Sequence, residues 1–193
     1  VWNLDHTRPT QVVGIRHVGV GDTNGDGYAE VLIGAPLAIV GSTRRSAGAV
    51  WEIRGRAGGL STTGARVVHQ DTSGAPDVAE VDDRLGYSIA VGDATGDGRA
   101  DVLAGVPGED RNGRREMGAI MLFRGSSAGL TGTGSQYLDQ NSSGVPSTAE
   151  AGDQFGDKVS LLERSGDRRL DAMIGTQYEN RDVIWPSGTV TWL

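Results

Sequence analysis

The chain has 193 residues, a net charge of -7, 31 Gly, no Cys and 37% hydrophobic residues. That composition is too apolar for a disordered chain, and its Gly lacks the three-residue period of collagen. The acidity disfavours nucleic acid and anionic membranes as partners, and the missing Cys removes disulfides, thiolate metal sites and Cys nucleophiles.

The start, Val1-Trp2-Asn3-Leu4, carries neither Met nor a signal-like apolar core, so a processed or trimmed chain is expected. No apolar run approaches the ~18 residues of a membrane span. Short apolar runs between Gly-rich turns predict many brief strands. In the first unit these fall near Val18–Gly21, Ala29–Gly34, Ala49–Arg54 and Arg66–His69.

Farther along, the pattern repeats. Gly48-Ala49-Val50-Trp51-Glu52-Ile53-Arg54-Gly55 returns 70 residues later as Gly118-Ala119-Ile120-Met121-Leu122-Phe123-Arg124-Gly125. It returns again, shortened, as Gly188-Thr189-Val190-Thr191-Trp192-Leu193. Asp71-Thr72-Ser73-Gly74-Ala75-Pro76 has its counterpart in Asn141-Ser142-Ser143-Gly144-Val145-Pro146, and Leu85-Gly86 in Phe155-Gly156. A repeat of four strands is the pattern of a propeller blade, whose sheets pack face to face around an axis. A four-stranded sandwich predicts no such self-similarity.

The expected fold is therefore all-β: a β-propeller segment over 1–193 with units at about 13–84, 85–154 and 155–193. Fewer than three full units would leave open edges, so a missing segment or another chain is expected to complete the ring. Trp51, in a repeated strand, is expected in the core, whereas Trp2, Trp185 and Trp192 are open between core and contact roles.

Two acidic loops carry the most specific chemistry. Asp22-Thr23-Asn24-Gly25-Asp26-Gly27-Tyr28-Ala29-Glu30 is matched by Asp93-Ala94-Thr95-Gly96-Asp97-Gly98-Arg99-Ala100-Asp101. Oxygen side chains fall at positions 1, 3, 5 and 9, with Gly at position 6 for a sharp turn. Asp22, Asn24, Asp26 and Glu30, with the Tyr28 carbonyl, and Asp93, Thr95, Asp97 and Asp101, with the Arg99 carbonyl, form candidate Ca²⁺ sites of hard oxygens. An EF-hand is rejected, because position 12 is Ile33 or Ala104 and the flanks read as strands. In the third loop, with Glu163, Ser165, Asp167 and Asp171, Arg168 replaces the turn Gly, so weak or absent metal binding is expected.

These residues resemble the FG-GAP repeats of integrin α-subunit propellers and their bacterial relatives. The first half of the motif is seen as Val13-Gly14, Leu85-Gly86 and Phe155-Gly156, the second as Gly34-Ala35-Pro36, Gly105-Val106-Pro107 and a degraded Gly175-Thr176-Gln177. The resemblance implies a ring of about seven blades, calcium loops on one face, and ligands bound on a propeller face.

Catalytic signals are weak by comparison. His6, His17 and His69 show no metal-ligand spacing, and Gly125-Ser126-Ser127-Ala128-Gly129 matches a nucleophile elbow without the helix that elbow needs. The expectation is a calcium-stabilised, non-catalytic binding module, secreted or at a cell surface, with a protein or carbohydrate ligand. The alternative is part of a propeller lyase or hydrolase whose catalytic groups lie in missing blades.

Overall fold

A computed structural model describes residues 14–164, 166, 169–179 and 187–192. The described residues form eleven strands and no helix. Val13, His6, Trp2, Trp185, Ser165 and Asp167 lie outside the described residues, as do the expectations placed on them.

Three antiparallel sheets follow one another along the chain. The first contains β1 (His17–Gly21), β2 (Glu30–Ala35), β3 (Ala49–Arg54) and β4 (Ser61–Val68), paired in that order. The second repeats it with β5 (Ile89–Gly92), β6 (Asp101–Val106), β7 (Ala119–Arg124) and β8 (Thr131–Leu138). In the third, β9 (Phe155–Leu162), β10 (Asp171–Glu179) and β11 (Ser187–Trp192) pair side by side. The strand β1 touches β5, and β5 touches β9, so equivalent strands of successive sheets line one side. This is an open segment of a β-propeller.

Strand assignments from the sequence agree with the sheets, except at β4. It begins at Ser61, five residues before the expected Arg66. Its first half, Ser61-Thr62-Thr63-Gly64-Ala65, is polar because β4 is the outer strand of its sheet, with solvent beside it. A register shift between Glu52 and Arg54 lets this half stay paired with β3.

The middle strands are apolar on both faces because another sheet lies on each. Val102, Leu103, Ala104 and Val106 of β6 are all buried, as are Ile120, Met121 and Phe123 of β7. One cluster joins Leu32 and Val50 of the first sheet to Val102, Met121 and Phe123 of the second, and another joins Leu103 and Ile120 to Phe155 and Ile174. Trp51 is buried, as expected.

The repeated Gly motif explains how the blades come so close. A Cβ at Gly34 would strike the Gly86 carbonyl, and one at Gly105 would strike that of Gly156. Gly86 and Gly156 themselves sit at φ of 80° and 88°, where only Gly is comfortable. Leu85 and Phe155, both wholly buried, bridge in parallel to Gly48 and Gly118. Each half of the motif thus packs against the other half from the neighbouring repeat.

Candidate functional site

The acidic loops join β1 to β2 and β5 to β6, at equivalent places in two adjacent blades. Both are built on an aspartate that accepts backbone hydrogen bonds. Asp22 Oδ1 accepts from Gly25 N at 2.7 Å and Asp26 N at 3.2 Å, and its Oδ2 accepts from Gly27 N at 2.8 Å. Asp93 repeats the pattern with Gly96 N at 2.7 Å, Asp97 N at 3.1 Å and Gly98 N at 2.8 Å. Asp26 Oδ1 then accepts from Tyr28 N at 2.9 Å, and Asp97 Oδ1 from Arg99 N at 3.0 Å. Burial acts to raise the Asp22 pKa, but the backbone bonds from Gly27, Gly25 and Asp26 together outweigh it and lower it. Positive φ at Gly25, Gly27, Gly96 and Gly98 lets the chain curl around each carboxylate.

The ninth position faces inward. Glu30 is wholly buried; its Oε2 accepts from the Thr23 amide at 3.0 Å and hydroxyl at 2.9 Å. Its Oε1 accepts from Asn24 Nδ2 at 3.0 Å and Gly55 N at 3.2 Å. Asp101, also wholly buried, accepts through Oδ2 from Ala94 N and Thr95 N, both at 3.1 Å, and through Oδ1 from Gly125 N at 2.9 Å. Burial raises the Asp101 pKa, opposed by these bonds. In the third loop Glu163 Oε1 accepts from Gly166 N at 2.6 Å, and Asp171 Oδ2 from Arg164 N at 2.9 Å. The bond from the loop Gly to the first-position carboxylate is therefore kept with Glu163.

The residues expected to ligate Ca²⁺ are thus brought into one turn per blade, with hard oxygen chemistry. Their carboxylates, as arranged, serve the loop's own N–H groups. Among the described residues no group of three or more His, Asp or Glu is gathered as a metal cage. The two loops are joined, since Ala100 N donates to the Asp22 carbonyl at 2.8 Å. Arg99 and Arg124 flank Asp97 at 3.9 and 3.5 Å.

Two further polar groups were not legible as site residues. Glu52, on β3 and wholly buried, accepts from Thr23 Oγ1 at 3.0 Å and from Leu130 N of the next blade at 2.7 Å. Arg54 lies 3.5 Å from it and donates to the Ala128 carbonyl. Burial nonetheless raises the Glu52 pKa. Gln70 and Gln140, at the same offset in successive units, reach Glu109 and Glu179 at 3.0 and 2.7 Å. Their shared spacing was the available signal; Glu52 left none, because its counterpart is Leu122.

The Gly125–Gly129 stretch is a tight turn between β7 and β8, not an elbow. Ser126 Oγ donates to the Gly129 carbonyl at 2.6 Å, and Ser127 is exposed. No helix among the described residues is long and apolar enough to cross a membrane.

The FG-GAP repeat family model matches residues 16–53 and 85–120, the two segments running from the start of each of the first two blades to its third strand. A phosphatidylinositol-glycan-specific phospholipase D of Rattus norvegicus is 29% identical over 107 residues, covering 55% of this chain and 13% of that protein. The Mus musculus protein of the same name is 28% identical over 107 residues, covering 55% of the chain and 12% of its own length. The chain therefore matches only a small part of these relatives.

Proposed function

We propose that this chain, an FG-GAP-repeat segment of an integrin-α-like β-propeller, is a non-catalytic binding module whose acidic-loop face is stabilised by Ca²⁺ outside the cytoplasm. The observation that carries the reading is the pairing of two like acidic turns on adjacent blades, tied through Ala100 N and the Asp22 carbonyl at 2.8 Å. A rim of Asp22, Asp26, Asp93 and Asp97 suits a hard divalent cation better than an anionic partner.

In this reading Asp22, Asn24, Asp26, Glu30 and the Tyr28 carbonyl would hold one ion. Asp93, Thr95, Asp97, Asp101 and the Arg99 carbonyl would hold a second. The ions would neutralise the rim and add stability by linkage. The third loop contributes weakly or not at all. A protein or carbohydrate ligand would bind on a face of the ring. Val18 and Val20 of β1 are 61% and 65% exposed, which supports a further blade, from a longer chain or a partner, covering that side.

Thermal melts in millimolar Ca²⁺ and in chelator test the metal. Wild type should melt higher in Ca²⁺, and Asp26→Ala and Asp97→Ala should each lose the share of that gain supplied by their own ion. Equal losses in both conditions would reduce the loops to self-capped turns.

A second reading has one observation behind it, the similarity to two proteins named as phospholipases. There the segment would belong to a longer hydrolase and hold its catalytic part or its substrate. Deleting the segment from the longer protein would then change KM for the substrate, whereas a pure interaction module would leave it unchanged.

A further inference from the structure

The seam between the first two blades gathers carboxyl groups with too few donors to satisfy them. Gln70, which follows β4, is wholly enclosed; its Nε2 donates to Glu109 Oε2 at 3.0 Å and to Asp77 Oδ2 at 3.1 Å. The same amide lies against Asp83. Glu109 is 3% exposed and Asp83 1% exposed. Asp83 Oδ2 accepts from Glu80 N at 2.5 Å. What remains is a surplus of acceptors, since Asp83 Oδ1 and Gln70 Oε1 are buried and neither has a hydrogen-bond partner.

The backbone gives Asp83 no easy escape. Its neighbours Asp82 and Arg84 sit at φ of 69° and 63°, and Gly108 N donates to the Asp83 carbonyl at 3.0 Å. A Cβ on Gly108 would strike the Asp82 carbonyl, so the β6–β7 loop carrying Glu109 is pressed against this turn.

The next seam is built on the same frame, with Asp153 wholly buried at the place of Asp83 and its Oδ2 accepting from Glu150 N at 2.7 Å, but it differs at the position of Asp77. There Ser147 stands where Asp77 stands in the first, and donates to Glu179 Oε1 at 2.8 Å. Gln140 Nε2 and Thr189 Oγ1 donate to Glu179 Oε2 at 2.7 and 3.4 Å. Three donors thus meet the Glu179 carboxyl. In the first seam the hydroxyl is replaced by another acceptor, and one amide must serve two carboxyls.

We propose that Asp77, Asp83 and Glu109, gathered on the Gln70 amide, form a proton-binding site that keeps the seam between the first two blades closed only while it holds a proton. The step is a plain protonation: a solvent proton adds to one carboxylate, and the resulting O–H supplies the donor that the orphaned acceptors lack. Full ionisation is costly here, because Asp83 and Glu109 are both buried and lie beside the half-buried Asp77.

The surrounding charges agree. Glu109 faces Asp77, Asp83 and Glu80 from the β4–β5 connection and Tyr137 of β8. Asp139 lies beyond Tyr137, and Arg111 is stacked over the Tyr137 ring at 4.7 Å. Burial, then the neighbouring carboxylates, pushes Glu109 up to about 9, and burial pushes Asp83 to about 7. Both shifts are upward, so the folded chain holds protons that the unfolded chain releases. Stability is then greatest below the ordinary carboxylate range and declines as pH rises through about 7 and towards about 9.

The test is the melting temperature of the whole chain against pH, from acid to alkali, with chelator throughout so that no cation replaces the proton. Wild type should lose stability from pH ~5 to pH ~9, and Glu109→Gln, which carries donor hydrogens permanently, should flatten that decline to less than about half. Asp77→Ser, which installs the second seam's residue, should flatten it in part. Parallel curves for wild type and both variants would overturn the proposal. Should Glu109→Gln fail to fold, infrared spectra of wild type decide. A protonated carboxyl band at neutral pH that vanishes in alkali supports the site, and its absence at neutral pH overturns it.

Discussion

Asp22 and Asp93 each draw three backbone N–H groups around one carboxylate, yet the walls behind the two turns differ. Behind the first stand Glu30, Glu52, Arg54 and Thr23, a buried charged network that extends to Leu130 of the next blade. Behind the second, Asp101 is held by backbone amides, and Leu122 occupies the place of Glu52. The turn is thus a property of the repeat, whereas its backing is a property of the particular seam. A polar network fixes one partner blade by its hydrogen bonds, and an apolar wall accepts any blade of the right volume.

The most severe way to break the comparison is to empty the seams where they are alike. Phe155→Ala should cost about 3–5 kcal/mol and Leu85→Ala about 2–5 kcal/mol in urea unfolding, because both side chains are wholly buried. Next comes the element that sets the seams apart. Glu52→Ala should cost about 3 kcal/mol by stranding the buried Leu130 N and removing the partner that Arg54 and Thr23 Oγ1 share, with Glu52→Gln recovering part of it. If Glu52→Ala cost no more than Leu122→Ala, the polar network would add nothing to the seam.

A smaller effect tests the close approach. Gly105→Ala should cost about 1–3 kcal/mol, read as a lowered midpoint, since its Cβ meets the Gly156 carbonyl and the Ser88 hydroxyl. Smallest in chelator are Asp22→Ala and Asp93→Ala, at about 1 kcal/mol each, because water replaces much of what the exposed turns lose. Their equality would confirm that the two turns are alike; a gap between them in Ca²⁺ alone would rank the loops as metal sites.

Much of the fold was legible because the repeated segments are those with two buried faces. Val31-Leu32-Ile33 and Ile120-Met121-Leu122-Phe123 read as central strands, and the 70-residue offset between Gly48–Gly55 and Gly118–Gly125 revealed the repeat. The first half of β4 was hidden by its composition, since an outer strand with solvent beside it needs no apolar alternation. In the site, Asp, Gly and their spacing revealed the turns. The sequence did not reveal that Glu30 and Asp101 face inward to backbone and side-chain donors. Glu52 was out of reach altogether, because its partner Leu130 lies 78 residues away and no local pattern encodes so distant a bond.

The latch in which Gly86 settles against Gly34, and Gly156 against Gly105, bears on how the chain is made. A blade's closing residues belong to the stretch that follows it, so a sheet emerging from the ribosome stays unfinished until the head of its successor is synthesised. Each latch spans a modest loop, and no contact need wait for the far end of the polypeptide. Folding can therefore proceed in the direction of translation, one blade behind the growing tip, with each finished sheet serving as the template on which the next is laid.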